Sequence, residues 1–282
     1  AGYFMIQYLN TQYQNLQEVA TKYKSSYNTD QPFPHIYFED FFNPAFLTLV
    51  REEFPDLSKL NTFHYNNPNE KKFASKGEAD MGPNTRQLIH FLQSETFLKF
   101  LQELTSIKET LLGDPYLVGG GLHEIKPGGL LKVHADFNKH ALTGLDRRLN
   151  ILVYLNKDWK EEYGGHFELW NRQMTNCAKR ILPTFNTLAM FSTTDTSYHG
   201  HPDPLTCPEG NSRKSIALYY YSNGRPQHEI DPSSVDHSTL FKDRAGFTGE
   251  VVDTGSSWKE KVKLFVPPIV YKLKDKLTDK ES

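Results

Sequence analysis

Between residues 117 and 222 the chain is divided into short apolar runs set apart by turn-forming residues, and no other feature restricts the fold as much. The runs lie at 117–125, 130–135, 149–155, 166–170, 187–191, 198–201 and 213–222. Lys126-Pro127-Gly128-Gly129, between the first two, is a turn by composition. Many short strands divided by such signals predict a sandwich or a barrel.

The second run ends in Val133-His134-Ala135-Asp136. On a strand, residues i and i+2 point to the same face, so this imidazole and this carboxylate can reach one metal ion. A third ligand is expected downstream, where residues 194–202 supply His199 and His201 just after the apolar run at 187–191. Two histidines and one carboxylate on one side of a metal form the facial triad of non-haem Fe(II) oxygenases, which leaves the opposite coordination positions open. The His-x-Asp pair alone is common, and His199 and His201 are two apart, so strand periodicity puts both on one face and does not choose between them.

The order of the surrounding pieces narrows the reading. After Asp136 come Arg148-Leu149-Asn150-Ile151-Leu152-Val153-Tyr154-Leu155-Asn156-Lys157-Asp158-Trp159, then Tyr163-Gly164-Gly165-His166-Phe167-Glu168-Leu169-Trp170, the histidine segment, and Arg213-Lys214-Ser215-Ile216-Ala217-Leu218-Tyr219-Tyr220-Tyr221. This series resembles the 2-oxoglutarate and Fe(II)-dependent dioxygenases and, within them, the prolyl 4-hydroxylase-like branch. The stretch 154–159, Y-L-N-K-D-W, is close to that branch's wording, and the resemblance runs over about residues 34–222.

The resemblance implies a mainly β fold with flanking helices around a double-stranded β-helix, or jelly roll, with the metal at one open end. It implies His134, Asp136 and His199 as metal ligands. The family's distal histidine is followed two positions later by an apolar residue and soon after by proline, which matches His199 to the ligand and His201 to the variable position. It implies Arg213 as the partner of the far carboxylate of 2-oxoglutarate, through the parallel hydrogen bonds of a planar guanidinium. Tyr154 matches a tyrosine that donates to the same carboxylate, and Ser215, two residues beyond Arg213, faces the same way. No catalytic side chain beyond the metal centre is expected. The implied cofactor is Fe(II), with 2-oxoglutarate and O2 as cosubstrates, and ascorbate is admitted as an accessory.

The activity implied is hydroxylation of an aliphatic C–H, first of all in a prolyl residue of a protein or peptide, with succinate and CO2 as coproducts. The same chemistry on a free amino acid, a glycan or another metabolite is the second reading, and a non-catalytic jelly-roll binding module is the third. The joint presence of His134, Asp136, His199 and Arg213 argues against the third. Two departures weaken any transfer of substrate identity. The position nine residues before the first histidine, a tyrosine in many prolyl hydroxylases, is Ile125, and the loop 202–212 is longer than in the oxygen-sensing branch.

The rest of the chain is read as support. Apolar spacings of three and four predict an amphipathic helix over 8–27, and further helices over 44–54, 85–92 and 95–104. Residues 61–83, polar and without a clear period, are expected to form a long loop, either a lid or substrate rim or an ordinary surface excursion. The domain plan is an N-terminal helix packed on the core (1–30), the dioxygenase domain (31–222) and a C-terminal extension docked on it (223–282). With 32 basic and 34 acidic residues the net charge is −2, so no global field points to nucleic acid. Cys177 and Cys207 lack any metal or disulfide spacing, which fits reduced thiols in a cytoplasmic protein. No apolar run reaches the roughly 18 residues of a membrane span.

Overall fold

The computed structural model describes residues 7–230 and 236–253. Helix α1 (Leu16–Thr29) starts where the Asn15 side chain accepts from the Glu18 amide, after a short 3-10 turn at Thr11–Tyr13. The helix therefore begins later than the apolar spacing alone predicts, because the cap decides the start. Helix α2 (Pro44–Glu52) is capped by Asn43 and has proline in its first turn, where no partner for an N–H is lost. Helices α3 (Pro83–Leu92) and α4 (Glu95–Thr105) follow. Helix α4 buries Phe97, Phe100, Leu101 and Leu104, each worth roughly 1.5–3 kcal/mol, so packing more than intrinsic propensity holds this short helix.

Twelve strands occur among the described residues. They are β1 (His35–Phe38), β2 (Phe63–Asn67), β3 (Glu70–Ala74), β4 (Gly121–Ile125), β5 (Leu131–Ala135) and β6 (Asp146–Tyr154), then β7 (Phe167–Trp170), β8 (Cys177–Ile181), β9 (Leu188–Ser192), β10 (His199–His201), β11 (Arg213–Ser222) and β12 (Leu240–Phe241). Their antiparallel order is β1-β9-β6-β11-β4-β3-β5-β10-β7-β8, with β2 on β3 and β12 on β5. Strands β9, β6, β11 and β4 form one layer, and β5, β10, β7 and β8 the other. Strand β3 joins the two layers, pairing with β4 through Phe73 and Ala74 and with β5 through Glu70. The result is a nearly closed antiparallel barrel of the jelly-roll, double-stranded β-helix type.

The alternation of side chains explains how the layers are used. From β6, Leu149, Ile151 and Val153 enter the core shared with the four helices, whereas Asn150 and Leu152 line the interior. Strand β11 repeats the pattern, with Ile216, Leu218 and Tyr220 toward the helices and Arg213, Ser215 and Tyr219 inward. Both strands are buried on two faces, one by helices and one by the barrel itself.

Three segments differ from expectation. Residues 61–83 are not an open loop: β2 and β3 make a hairpin whose turn is tied by Asn67, its side chain accepting from the Asn69 and Glu70 amides. Its weak alternation of half-buried and exposed residues, rich in Asn and Lys, conceals the strands. Residues 117–120 form a turn with Leu117 at φ 51°, held by Asp114, which accepts from the Tyr116 and Val118 amides. Strand β8 carries polar Lys179 and Arg180 at the end of the sheet order and gives little apolar signal. Both cysteines are free thiols. No helix of the described residues is long and apolar enough to cross a membrane. The segment 258–277, expected to dock as part of the C-terminal extension, lies outside the described residues.

Candidate metal and cosubstrate site

Strands β5 and β10 pair antiparallel with His134 opposite His199, and Asp136 follows just beyond the end of β5. The two imidazole centroids are 4.5 Å apart. Asp136 lies between them, with Oδ1 3.5 Å from His134 Nε2 and Oδ2 3.4 Å from His199 Nε2. One ligand atom from each of the three lies within 4.8 Å of the others, a cluster able to hold a metal ion. Each histidine is oriented by its other nitrogen. Nδ1 of His134 donates to the Lys132 carbonyl at 2.8 Å, and Nδ1 of His199 to the Ser197 carbonyl at 2.9 Å. That fixes the tautomer and leaves both Nε2 lone pairs directed at the cluster. Burial pushes the His199 imidazole down to about 4, the neutral form that a metal requires.

Asp136 is held from behind by Arg147 and Asn150, two residues that sequence reasoning misses. Asn150 Nδ2 donates to its Oδ2 at 2.6 Å, and Arg147 Nη2 lies 3.1 Å from the same oxygen. Arg147 Nε donates in turn to Asn150 Oδ1 at 2.8 Å, and its guanidinium packs on the Phe137 and Tyr219 rings, 4.3 Å and 3.5 Å from their centroids. Burial alone would raise the Asp136 pKa, but Arg147, then His199 and His134, hold it well below the usual carboxylate range. The one available signal for Asn150 is an amide between Leu149 and Ile151, within the otherwise apolar run 149–155.

At the other end of the same interior, Arg213 is buried at the start of β11. Its Nε donates to the Gly165 carbonyl at 2.8 Å and its Nη2 to the Tyr154 hydroxyl at 3.2 Å. Gly165 has φ +70°, and a Cβ there would lie 2.6 Å from Leu205 and 3.0 Å from Arg213 Cδ, so glycine is required for this approach. Ser215 is buried and faces Tyr154 in the β11–β6 register. Burial lowers the guanidinium's pKa, and Tyr154 offsets only part of that. No carboxylate of the described residues forms an ion pair with Arg213. One cavity is lined by the three-residue cluster together with Arg213, Ser215 and His201. Tyr154 sits in the adjoining apolar cluster with Phe167 and Phe191. Ile125 is buried and lines the cavity as an apolar wall.

A second cavity opens beside His134 and Asp136. Tyr65, Glu70 and Lys72 of the β2–β3 hairpin line it, with Phe137, Lys139 and Tyr219.

Residues 120–221 match the family model described as the 2OG-Fe(II) oxygenase superfamily. The matched stretch contains His134, Asp136, His199 and Arg213. No curated protein sequence matches the chain. Its fold is similar to that of a Trichoplax adhaerens prolyl hydroxylase solved with a hypoxia inducible factor peptide fragment, at 18% identity over 76% of this chain and 94% of that one, with a TM-score of 0.55. A Pseudomonas putida prolyl-4-hydroxylase is similar over 73% of this chain and 100% of that one, at 11% identity and a TM-score of 0.53. A Phytophthora capsici prolyl 4-hydroxylase is similar over 79% and 68%, at 17% identity and a TM-score of 0.51. The family match, on a prolyl 4-hydroxylase-like fold, indicates a 2-oxoglutarate-dependent dioxygenase that uses Fe(II) and 2-oxoglutarate. Its residues fit both: two imidazoles with preset Nε2 and one charged carboxylate suit a divalent metal, and a buried guanidinium without a carboxylate among the described residues suits an anionic cosubstrate.

Proposed function

We propose that this oxygenase hydroxylates a prolyl residue of a protein or peptide. In this reading His134, Asp136 and His199 hold Fe(II), while Arg213, Tyr154 and Ser215 receive the far carboxylate of 2-oxoglutarate. The observation that carries it is the pairing, within one cavity, of the His-Asp-His cluster with a buried arginine that has no carboxylate partner among the described residues.

The chain's own work is positioning. The backbone carbonyls of Lys132 and Ser197 hold the imidazoles in one tautomer, and Arg147 with Asn150 keeps the Asp136 carboxylate ionised and turned toward them. Arg213 and Tyr154 fix one end of the cosubstrate, so its other end is presented to the metal in a single orientation. Phe167, Phe191 and Leu152 line the cavity with apolar surface and keep water away from the reacting groups. When bound, Fe(II) supplies the activation of dioxygen that no side chain can provide.

The cavity beside His134 and Asp136 is the proposed entry for substrate. Aromatic Tyr65, Phe137 and Tyr219 suit the flat, apolar face of a proline ring, and the similarity in fold to prolyl hydroxylases supports this class. Glu70 and Lys72, paired at 3.4 Å in the same wall, favour a second reading in which the substrate is a free amino acid, a glycan or another polar metabolite. Succinate release under Fe(II), measured over proline-containing peptides and over small polar metabolites, separates the two. Stimulation by peptides with a mass gain of one oxygen supports the first, and stimulation by metabolites alone rejects it.

A further inference from the structure

His201 shares the cavity of the His-Asp-His cluster and Arg213, yet it belongs neither to the metal cluster nor to the arginine's hydrogen bonds. It is 4% exposed, and neither ring nitrogen has a hydrogen-bond partner among the described residues. In this it differs from His134 and His199, whose Nδ1 atoms both donate to backbone carbonyls. Buried polar atoms are nearly always satisfied, so an imidazole left open at both nitrogens and facing a cavity marks a contact that a ligand completes. A merely solvated histidine does not fit these observations.

The register says which end of the cavity it serves. His199 stands opposite His134, whereas His201 stands opposite Leu131, past an irregularity in the pairing and away from Asp136. Gly200 makes the close approach possible, since a Cβ there would lie 2.8 Å from the Leu131 carbonyl oxygen. Of the fixed charges that bear on His201, that of Arg213 is the strongest, ahead of Lys72. A neutral imidazole still offers one N–H, and at the arginine end an anion is the group that would accept it.

We propose that His201 donates a hydrogen bond to the far carboxylate of the 2-oxo acid cosubstrate, beside Arg213 and Tyr154, and thereby sharpens selection of a dicarboxylic over a monocarboxylic 2-oxo acid. This rests on the proposed placement of that carboxylate at Arg213. His201 is then a specificity-determining contact in this chain, and its loss leaves the metal ligands intact.

The test is anaerobic titration calorimetry of the Mn(II)-loaded full chain with 2-oxoglutarate and with 2-oxovalerate, which has the same carbon chain but no far carboxylate. His201→Val is expected to weaken 2-oxoglutarate binding by about tenfold to a hundredfold, the range for one hydrogen bond to a charged group. Binding of 2-oxovalerate and Mn(II) content are expected to stay as in the wild type. His201→Gln, which keeps an N–H donor, is expected to recover part of the loss, and it carries the test if the valine variant does not fold. Unchanged 2-oxoglutarate affinity in both variants, equal weakening of both acids, or loss of Mn(II) overturns the proposal. A wild-type protein that binds Mn(II) but no 2-oxoglutarate overturns the cosubstrate assignment itself, a result distinct from wild-type binding that His201→Val leaves unaltered.

Discussion

Arg147 and Asp136 form a buried ion pair, 3.1 Å from Nη2 to Oδ2, in which the cation is the more deeply enclosed member, at 1% side-chain exposure against 12%. The guanidinium lies in the corner formed by the Phe137 and Tyr219 rings, which stand at 83° to each other. Removing one partner of such a pair leaves the other charge buried and uncompensated, at a cost of about 3–5 kcal/mol. Arg147→Met is therefore expected to lower stability by that amount without metal, and a divalent ion should then restore part of it by neutralising Asp136. Thermal melts with and without Mn(II) check this: the metal-induced rise in Tm should be larger in the variant than in the wild type, and an equal rise would contradict the role given to Arg147.

His134→Ala, Asp136→Ala and His199→Ala are each expected to abolish turnover and to lower bound metal below one equivalent. His201→Ala should retain a full equivalent. A three-residue ligand set tolerates the loss of a neighbour far better than the loss of a member. Metal analysis after dialysis against Fe(II) or Mn(II) decides the matter, and a metal-free His201→Ala beside a metal-loaded His199→Ala would reverse the choice between the two histidines.

Arg213→Leu is expected to weaken 2-oxoglutarate binding by roughly a hundredfold to a few thousandfold, the equivalent of about 3–5 kcal/mol for an unpartnered buried charge. Tyr154→Phe removes one hydrogen bond to a charged group and should cost less, about 1.5–3 kcal/mol at most. Metal content should survive both changes. Separate titrations of metal and 2-oxoglutarate provide the check, and unaltered 2-oxoglutarate affinity in Arg213→Leu would remove the arginine from the site.

Glu53, at the C-terminal end of α2, accepts from the Thr85 amide at 2.5 Å, the Thr85 hydroxyl at 2.8 Å and Asn84 Nδ2 at 2.9 Å, all in the first turn of α3. Burial would raise its pKa, but the hydrogen bonds from Thr85 and Asn84 outweigh that and lower it. A lowered carboxylate contributes stability that is present above its unfolded value, about 4.3, and is lost as pH falls through the folded value. Glu53→Ala should cost about 0.5–2 kcal/mol near neutrality, the worth of a helix cap. The gap between wild type and variant should close below about pH 4. Urea unfolding at pH 7 and at pH 3 measures it, and a gap that widened on acidification would have the wrong sign.

The parts of this molecule that are legible in its sequence are those where chemistry and periodicity coincide. His134 and Asp136 close an apolar run, Arg213 opens another, and each of the seven apolar runs between 117 and 222 overlaps a strand of the barrel. What is not legible is carried by neighbours distant in sequence. Among the described residues strand β2 pairs only with β3 and β8 only with β7, so their polar residues face solvent and the period-two signal fades. The enclosure of Arg147 depends on rings from two other segments, Phe137 and Tyr219, and no pattern around 147 announces it. His201 is hidden for the same reason, because strand alternation gives a side chain's face but not whether a partner waits there.

Strand β3 is hydrogen-bonded to the strand that carries His134 and also to β4, which flanks Arg213. The backbone of one short strand thus sets the span between the two ends of the cavity, while side chains of its hairpin, Tyr65 and Lys72 among them, form the wall of the neighbouring opening. Span and wall are written in different atoms. Substitutions on the hairpin surface can reshape what the opening admits while leaving the span at its fixed length, so a lineage could change its substrate without rebuilding its chemistry.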